Sequence, residues 1–573
     1  MLIMFGLSPQ HLARQPSFGE MFVPKLVTVL QEGYGFSKFR ADVVSGLTVA
    51  VVALPLSMAI AIASGTTPER GLFTAIVAGF VISALGGSRF QIGGPAGAFI
   101  VLVASAFDRI GPDGVVLATA MAGLFLTAAG LLRLGTFIKF IPYPVTVGFT
   151  AGIAIIIFAS QVKDLLGLQL AGKEPGPIVP KAQALVQAAG TFNLSALALS
   201  VLTIALIVLL KKVRPGWPGM LMAVVAAATV TWFWALPVET IGSRFGAIPS
   251  SLPAPSIPTF SLAKIQAVLP DAIAFALLGA IESLLSAVVA DGMTGRRHRS
   301  NCELVAQGIA NIGSALMGGI CATGTVARTA TNVRAGARSP ISGMIHSATL
   351  LLFMVVAAPL CSYIPLAALA GVLALVAWNM VEKHAFAILL RTSSGDAIVL
   401  LATFLLTVFR DLTEGIVVGV AIGALLFIYR MSSSANVEHV PTVAPDRADR
   451  DDARTPYDPA LATDPDVVIY RLTGAFFFGT ASMLSAVLDR ITDRRRALVV
   501  DFSAVPFIDS TAANVIAGLG HKAGQHGARL LISGATPAVR RQLSASTSRI
   551  SGLDYFSSLE EAVAAAHIQA PNR

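Results

Sequence analysis

Twelve long apolar runs punctuate the chain, and between them lie two apolar pieces too short to cross a bilayer as helices. About 20 apolar residues span the hydrocarbon core. Runs of that order occupy 41–64, 70–86, 115–134, 142–162, 194–210 and 219–236, and a second series occupies 268–290, 303–320, 341–361, 364–380, 396–410 and 413–430. The short pieces, 96–107 and 326–336, each stand third in their series, one after Gly93-Gly94-Pro95 and the other after Gly324-Thr325. Short segments interrupted by glycine or proline at corresponding places in two halves point to a transporter's binding site. Seven elements per series is an odd number, so the second series must insert upside down relative to the first, as an inverted repeat. With 55% hydrophobic and 13% charged residues, the expected fold is an α-helical polytopic membrane protein.

The formal net charge of +9 does not indicate nucleic acid, because the Lys and Arg residues sit mostly in short loops between apolar runs, where they set topology. A cytoplasmic N-terminus puts Arg133/Lys139, Lys211-Lys212/Arg214, Arg296-Arg297/Arg299, Lys383/Arg391 and Arg430 on the inner side, while 65–70, 108–114 and 237–266 carry sparser or balanced charge. The expected location is therefore a cytoplasmic membrane, crossed many times, with no cleaved signal and the first span acting as the insertion signal. Cys302, Cys321 and Cys361 have neither metal-ligand nor redox spacing and read as packing residues. After Arg430 the composition turns polar and proline-containing. The expected organisation is an N-terminal segment at 1–40, a membrane body at 41–431, a linker at 432–465, an α/β domain at 466–567 and a tail at 568–573. Within the α/β domain, strands near 466–474, 496–503 and 528–534 alternate with helices near 479–492, 510–525, 537–545 and 557–567.

Helix N-termini expose unpaired N–H groups and the positive end of the dipole, so two half-helices meeting near the midplane make an anion site without a buried cation. The candidate substrate residues are Ala96, Gly97, Ala98 and Phe99 on the first start and Thr325, Val326, Ala327, Arg328 and Thr329 on the second. The bland alternative for glycines 93–97 is close helix packing. A charge inside the membrane costs about 2.5–3.5 kcal/mol on insertion scales, which gives Arg328 a functional reading, whereas Arg334 and Arg338 read as snorkelling residues at the boundary. Glu282 lies midway along LPDAIAFALLGAIESLLSAVVAD with Ser286 one turn later. A carboxylate there must face a polar cavity, and it serves either as a proton acceptor or, with Ser286, as a sodium ligand. A structural hydrogen bond of Glu282 to the backbone or to Ser286 is the alternative. Asp271 and Asp291 read as interfacial, and His346 and Glu382 receive no role. No nucleophile–base pair, metal cluster or cofactor motif emerges, which argues against an enzyme.

These motifs resemble the sulfate permease (SulP) family of anion transporters with a C-terminal STAS domain. The likeness rests on DVVSGLTVAVVALPLSMAIAIASG, GGPAGAF, IESLLSAVVADGMTGRRHRSNCELVAQGIAN, ATGTVARTATNVRAGARSPISG and VDFSAVPFIDSTAANVIAGL. It implies a seven-plus-seven inverted repeat divided into core and gate domains, a substrate site between elements three and ten, and a homodimer. By the same resemblance Glu282 and Ser286 match positions used for proton or cation coupling, and Arg328 matches the arginine that opens the tenth element. Ser510 and Thr511 match the hydroxyl segment phosphorylated in related anti-sigma-factor antagonists. Two positions depart from many members: Leu56 stands where a glutamine is common, and Ala327 where a serine is. The IESLL, VADGMTG and RAGARSPIS segments are similar to the bacterial C4-dicarboxylate branch, which implies proton-coupled uptake of dicarboxylates, with sulfate or bicarbonate as the alternative. An uncoupled channel keeps the same fold, and a membrane sensor signalling to a cytoplasmic partner through the C-terminal domain is a further alternative.

Overall fold

The computed structural model describes residues 18–136, 142–172, 174–214, 217–410, 412–433, 436–439, 467–477, 480, 497–525, 527–547 and 553–567. The expected helix near 479–492, Lys139, the tail and most of the expected linker lie outside them. The chain forms two compact units, 1–420 and 421–573.

In the first unit, elements 1 and 2 are Phe36–Ala63 and Pro68–Leu85, and elements 3 and 4 are the two limbs of Phe99–Leu131. The limbs meet at Gly111, whose φ of 70° and ψ of −178° break the helix ahead of Pro112. Elements 5, 6 and 7 are Tyr143–Leu166, Leu194–Val213 and Gly219–Phe233. Elements 8 to 13 are Leu262–Thr294, Ser300–Leu316, Val326–Arg334, Ile341–Cys361, Leu366–Met380 and Ser394–Phe409, and element 14, Leu412–Ser433, begins in this unit and continues past residue 420. Among the described residues, nine helices are long and apolar enough to cross a membrane.

Packing divides this unit as an inverted repeat requires. Elements 1–4 pack with 8–11 as one body, and elements 5–7 pack with 12 and 13 as another, with Gly415 and Gly419 seating element 14 against Thr403, Thr407 and Val145. Close backbone approach sets these contacts, because a Cβ at Gly123 would lie 2.6 Å from the Gly308 carbonyl oxygen and one at Gly308 2.5 Å from that of Gly123. Each half also holds a helix that the sequence left as loop: Ile178–Gln187 between elements 5 and 6, and Lys383–Thr392 between elements 12 and 13. Both are too short to span, so a search for apolar runs passes over them.

Two domain boundaries need correction. The membrane body begins before residue 41, since element 1 already starts at Phe36, and helices Phe18–Phe22 and Lys25–Gln31 form within the N-terminal segment. Near its end, Asp42 accepts hydrogen bonds from the Arg338 N–H at 2.6 Å, the Ser339 N–H at 3.1 Å, the Ser339 hydroxyl at 2.5 Å and the Tyr34 phenol at 2.7 Å. Burial and the Asp42 carboxylate push the Tyr34 phenol above its ordinary range, so it stays a donor. The linker at 432–465 is not wholly unstructured either, because Asn436–His439 is a strand antiparallel to Val467–Thr473.

The second unit is a five-stranded sheet. Asn436–His439 lies at one edge, and Val467–Thr473, Ala497–Ala504, Arg529–Ser533 and Leu553–Phe556 follow in parallel. Strand alternation feeds two cores. Val468, Val500 and Ile532 pack with Ile516 of helix Ser510–Gln525 and Leu543 of helix Pro537–Thr547, while Val467, Val499 and Leu531 pack with Ala562 and Val563 of helix Leu559–His567.

Candidate functional site

The two short pieces meet at the centre of the first unit. Gly93–Gly94 pairs antiparallel with Thr323–Gly324, with Gly93 opposite Gly324 and Gly94 opposite Thr323. The pair aims the starts of elements 3 and 10 at one region. The first helix begins at Phe99 with Ala98 as its N-cap, and the second begins at Val326 with Thr325 as its N-cap. Neither cap residue makes a side-chain capping bond; the first-turn N–H groups of the second helix remain open to a ligand, whereas at the first start the Phe99 and Ile100 N–H groups donate to the Ala96 and Gly97 carbonyls at 3.1 Å each. Gly97 and Val326 are half-buried and Ala327 is exposed, so this region is open to entry.

Glycine geometry separates the packing reading from the functional one. A Cβ at Gly93 would lie 2.2 Å from Ile82 Cδ1 and one at Gly94 2.1 Å from Arg328 Nη1, so packing accounts for both. A Cβ at Gly97 would meet only Ile157 Cδ1 at 3.5 Å and Met380 Sδ at 3.6 Å, both from the opposing body. Packing does not require Gly97, and the space beside it lies between the two bodies.

Phe99 is placed differently from the sequence expectation. Its ring is fully buried, stacked edge-on against Phe275 at a centroid distance of 6.0 Å, and belongs to the core. Its N–H donates to the Ala96 carbonyl at 3.1 Å, so neither group lines the gap.

Arg328 is 2% exposed and turned behind the strand pair. Its Nη2 donates to Ser57 Oγ of element 1 at 3.1 Å, while among the described residues Nε and Nη1 have no hydrogen-bond partner. Glu282 is half-buried, and its Oε2 also lacks a partner. The two charges act on each other across the site without a direct contact. No basic residue stands within a helical turn of Glu282 on its own helix, and the nearby cation comes from element 10. The Ser286 alternative is corrected, because the Ser286 hydroxyl donates to Thr329 Oγ1 at 3.0 Å instead of to Glu282, and Thr329 Oγ1 also accepts the Ile92 N–H at 3.2 Å.

Three further residues depart from the sequence reading. Asp271 is buried and pairs with Arg109 at 2.5 Å, so it is not a free interfacial carboxylate. His346, given no role, is fully buried within element 11. Ser57 was passed over because a hydroxyl in an apolar helix ordinarily bonds its own backbone, and its partner lies 271 residues away in sequence. The three cysteines are buried and free, as expected. In the second unit Asp509 Oδ1 accepts the Ala512 N–H at 2.8 Å, capping the helix on which Ser510 and Thr511 stand exposed.

This arrangement of crossed half-helices in an inverted repeat has known counterparts. The model of the sulfate permease family matches residues 39–403, and that of the STAS domain matches residues 458–563. The chain belongs to the sulfate permease family. It is a multi-pass membrane protein and an anion transporter of that family, not an enzyme. Among curated relatives of the permease family, "Putative sulfate transporter YvdB" of Bacillus subtilis (strain 168) is 41% identical over 88% of this chain and 93% of its own. The bicarbonate transporter BicA of Picosynechococcus is 31% identical over 89% of this chain and 91% of its own. The structure of the murine anion transporter Slc26a9 in its inward-facing state shares the permease fold, with a TM-score of 0.82 at 18% identity over 98% of this chain and 96% of that one.

Proposed function

We propose that this permease is a secondary active transporter that couples uptake of a small oxyanion to a proton carried by Glu282. The observation that carries the reading is the meeting of two uncapped helix starts at the Gly93–Gly94 and Thr323–Gly324 pair, with Arg328 behind them and the half-buried Glu282 within its field. An anion entering beside Gly97 and Ala327 gains the N–H groups of the second start, the dipoles of both starts and the field of Arg328. It is repelled by ionised Glu282. Protonation removes the repulsion, so each ligand favours binding of the other.

The substrate assigned here is a C4-dicarboxylate, on the likeness of the IESLL, VADGMTG and RAGARSPIS segments to that branch. Sulfate or bicarbonate is the second reading, favoured by the names of the relatives. The positions of the basic loops support an inner, cytoplasmic membrane location with the STAS domain on the cytoplasmic side. The assembly is a homodimer on the family resemblance, and the STAS domain regulates transport, with exposed Ser510 and Thr511 as its phosphorylation site.

Uptake of labelled succinate, sulfate and bicarbonate into proteoliposomes tests this under imposed pH and sodium gradients. With the membrane potential clamped at zero, one proton per cycle supports about tenfold accumulation per pH unit. Glu282→Gln mimics the neutral acid, so it keeps anion binding and loses accumulation driven by the pH gradient. Accumulation by Glu282→Gln equal to the parent's sinks the coupling assignment, and uptake that tracks sodium at constant pH replaces the proton.

A further inference from the structure

His346 is fully buried in element 11, and among the described residues neither of its ring nitrogens has a hydrogen-bond partner. A neutral imidazole carries one N–H donor and one lone pair, and burial without partners leaves both unsatisfied. Its neighbours fix the direction of the ring. A Cβ at Gly46 of element 1 would meet the Ser342 carbonyl oxygen at 2.5 Å and Ile345 Cβ at 2.9 Å, and the Ser347 hydroxyl donates to the Ala75 carbonyl of element 2 at 3.4 Å. Those contacts turn one side of element 11 to element 1 and another to element 2, so residue 346 points into the wedge between them.

Arg328 enters the same wedge from element 10. Its guanidinium is bonded to Ser57 of element 1 and lies against Gly94, where a Cβ would also meet Ala75 Cα at 3.6 Å. The guanidinium and the imidazole are within electrostatic reach of each other. The unmet groups complement one another. Arg328 has donors at Nε and Nη1 without acceptors, and the neutral ring has an acceptor without a donor. A single water between polar groups of this kind satisfies both sides.

We propose that His346 is a positioning residue for Arg328, its ring nitrogen closing a chain from Ser57 through the guanidinium and one bridging water that holds the cation in place behind the strand pair. The inference rests on the reading that Arg328 supplies positive potential to the anion site. No charged group other than Arg328 is assigned to the wedge, and Glu282 acts on it from element 8 through Arg328.

The test is binding of labelled succinate and sulfate to the purified full-length protein, with thermal unfolding measured alongside. His346→Leu removes the acceptor at similar volume and is expected to weaken binding about tenfold, the effect of one hydrogen bond, without lowering the unfolding temperature. His346→Gln keeps an acceptor and is expected to restore binding to within about threefold of the parent. In an Arg328→Ala background, His346→Leu is expected to add no further loss, an outcome that a packing role does not produce. Parent-like binding by His346→Leu overturns the inference, as does an equal loss in both backgrounds or failure of both histidine variants to fold. If Arg328→Ala itself binds like the parent, the reading of Arg328 fails. If Arg328→Ala weakens binding and His346→Leu does not, this inference alone fails.

Discussion

Adding one methyl group at Gly94 tests whether Arg328 must stay where the strand pair holds it. Gly94 pairs with Thr323 and has a φ of 151°, a backbone conformation that L side chains rarely adopt. A Cβ there would lie 2.1 Å from Arg328 Nη1. Non-bonded heavy atoms of this size settle at about 3.5–4.0 Å, so the guanidinium must retreat by roughly 1.5 Å or more. Its bond to Ser57, already 3.1 Å long, cannot absorb that shift. Losing a charge-assisted hydrogen bond costs about 1.5–3 kcal/mol, and holding an alanine in that conformation adds about 1–3 kcal/mol. Both contributions lower stability, but only displacement of the cation weakens binding, by about ten- to a hundredfold. Gly97→Ala is the matched comparison, because its Cβ makes only ordinary contacts at 3.5 and 3.6 Å while narrowing the gap between the bodies. Equilibrium binding of labelled succinate and sulfate, measured with thermal unfolding in detergent, separates the outcomes. Gly94→Ala is expected to lose both affinity and stability, and Gly97→Ala to lose affinity at parent stability. A Gly94→Ala protein with the parent's affinity and unfolding temperature refutes the placement of Arg328.

Three other substitutions address the remaining parts. Arg328→Ala is expected to lower anion affinity about ten- to a hundredfold and not abolish it, because two helix starts still hold part of the charge; equilibrium binding decides this. Asp42→Ala leaves the Arg338 and Ser339 N–H groups without their acceptor, at about 1–3 kcal/mol for the buried Ser339 donor, so the unfolding temperature is expected to drop while the affinity of the folded fraction holds. Ser286→Ala removes the donor to Thr329 Oγ1 and one possible cation ligand. Under proton coupling the variant is expected to keep pH-driven accumulation, and selective loss of sodium-driven uptake in the liposome assay points to a cation site instead.

Much of the membrane body was legible because a bilayer imposes a length on apolar runs, and the two pieces that violated that length marked the centre of the fold. What stayed hidden has particular causes. Ile178–Gln187 and Lys383–Thr392 are short, lie between spans and leave no run of membrane length. Strand Asn436–His439 pairs with Val467–Thr473 and is set inside a polar stretch, where composition alone suggests a linker. Phe99 follows Gly97 and Ala98 directly, yet adjacency in sequence does not fix direction: two residues after Gly97, which faces Ile157 and Met380, the chain has turned the Phe99 ring onto Phe275. Ser57 and His346 were invisible for a further reason. Each is an unremarkable polar residue in its own helix, and each acquires meaning from a guanidinium delivered by element 10.

The position of Arg328 also changes what Glu282 must do. Read from its own helix, Glu282 is an isolated carboxylate whose cost in the membrane is relieved by a proton. In the fold it lies within the field of Arg328, so the ionised pair is nearly neutral overall even though the two groups do not touch. An arriving anion then makes the site net negative, and under the proposed coupling a proton on Glu282 leaves the anion balanced by Arg328 and the two helix starts. A permanent cation anchored at Ser57 and a removable negative charge opposite it make the affinity for the anion depend on the state of Glu282. Under the proposed coupling Arg328 serves coupling as well as binding: without the fixed cation, protonating Glu282 would remove repulsion and leave only the helix starts to attract the substrate.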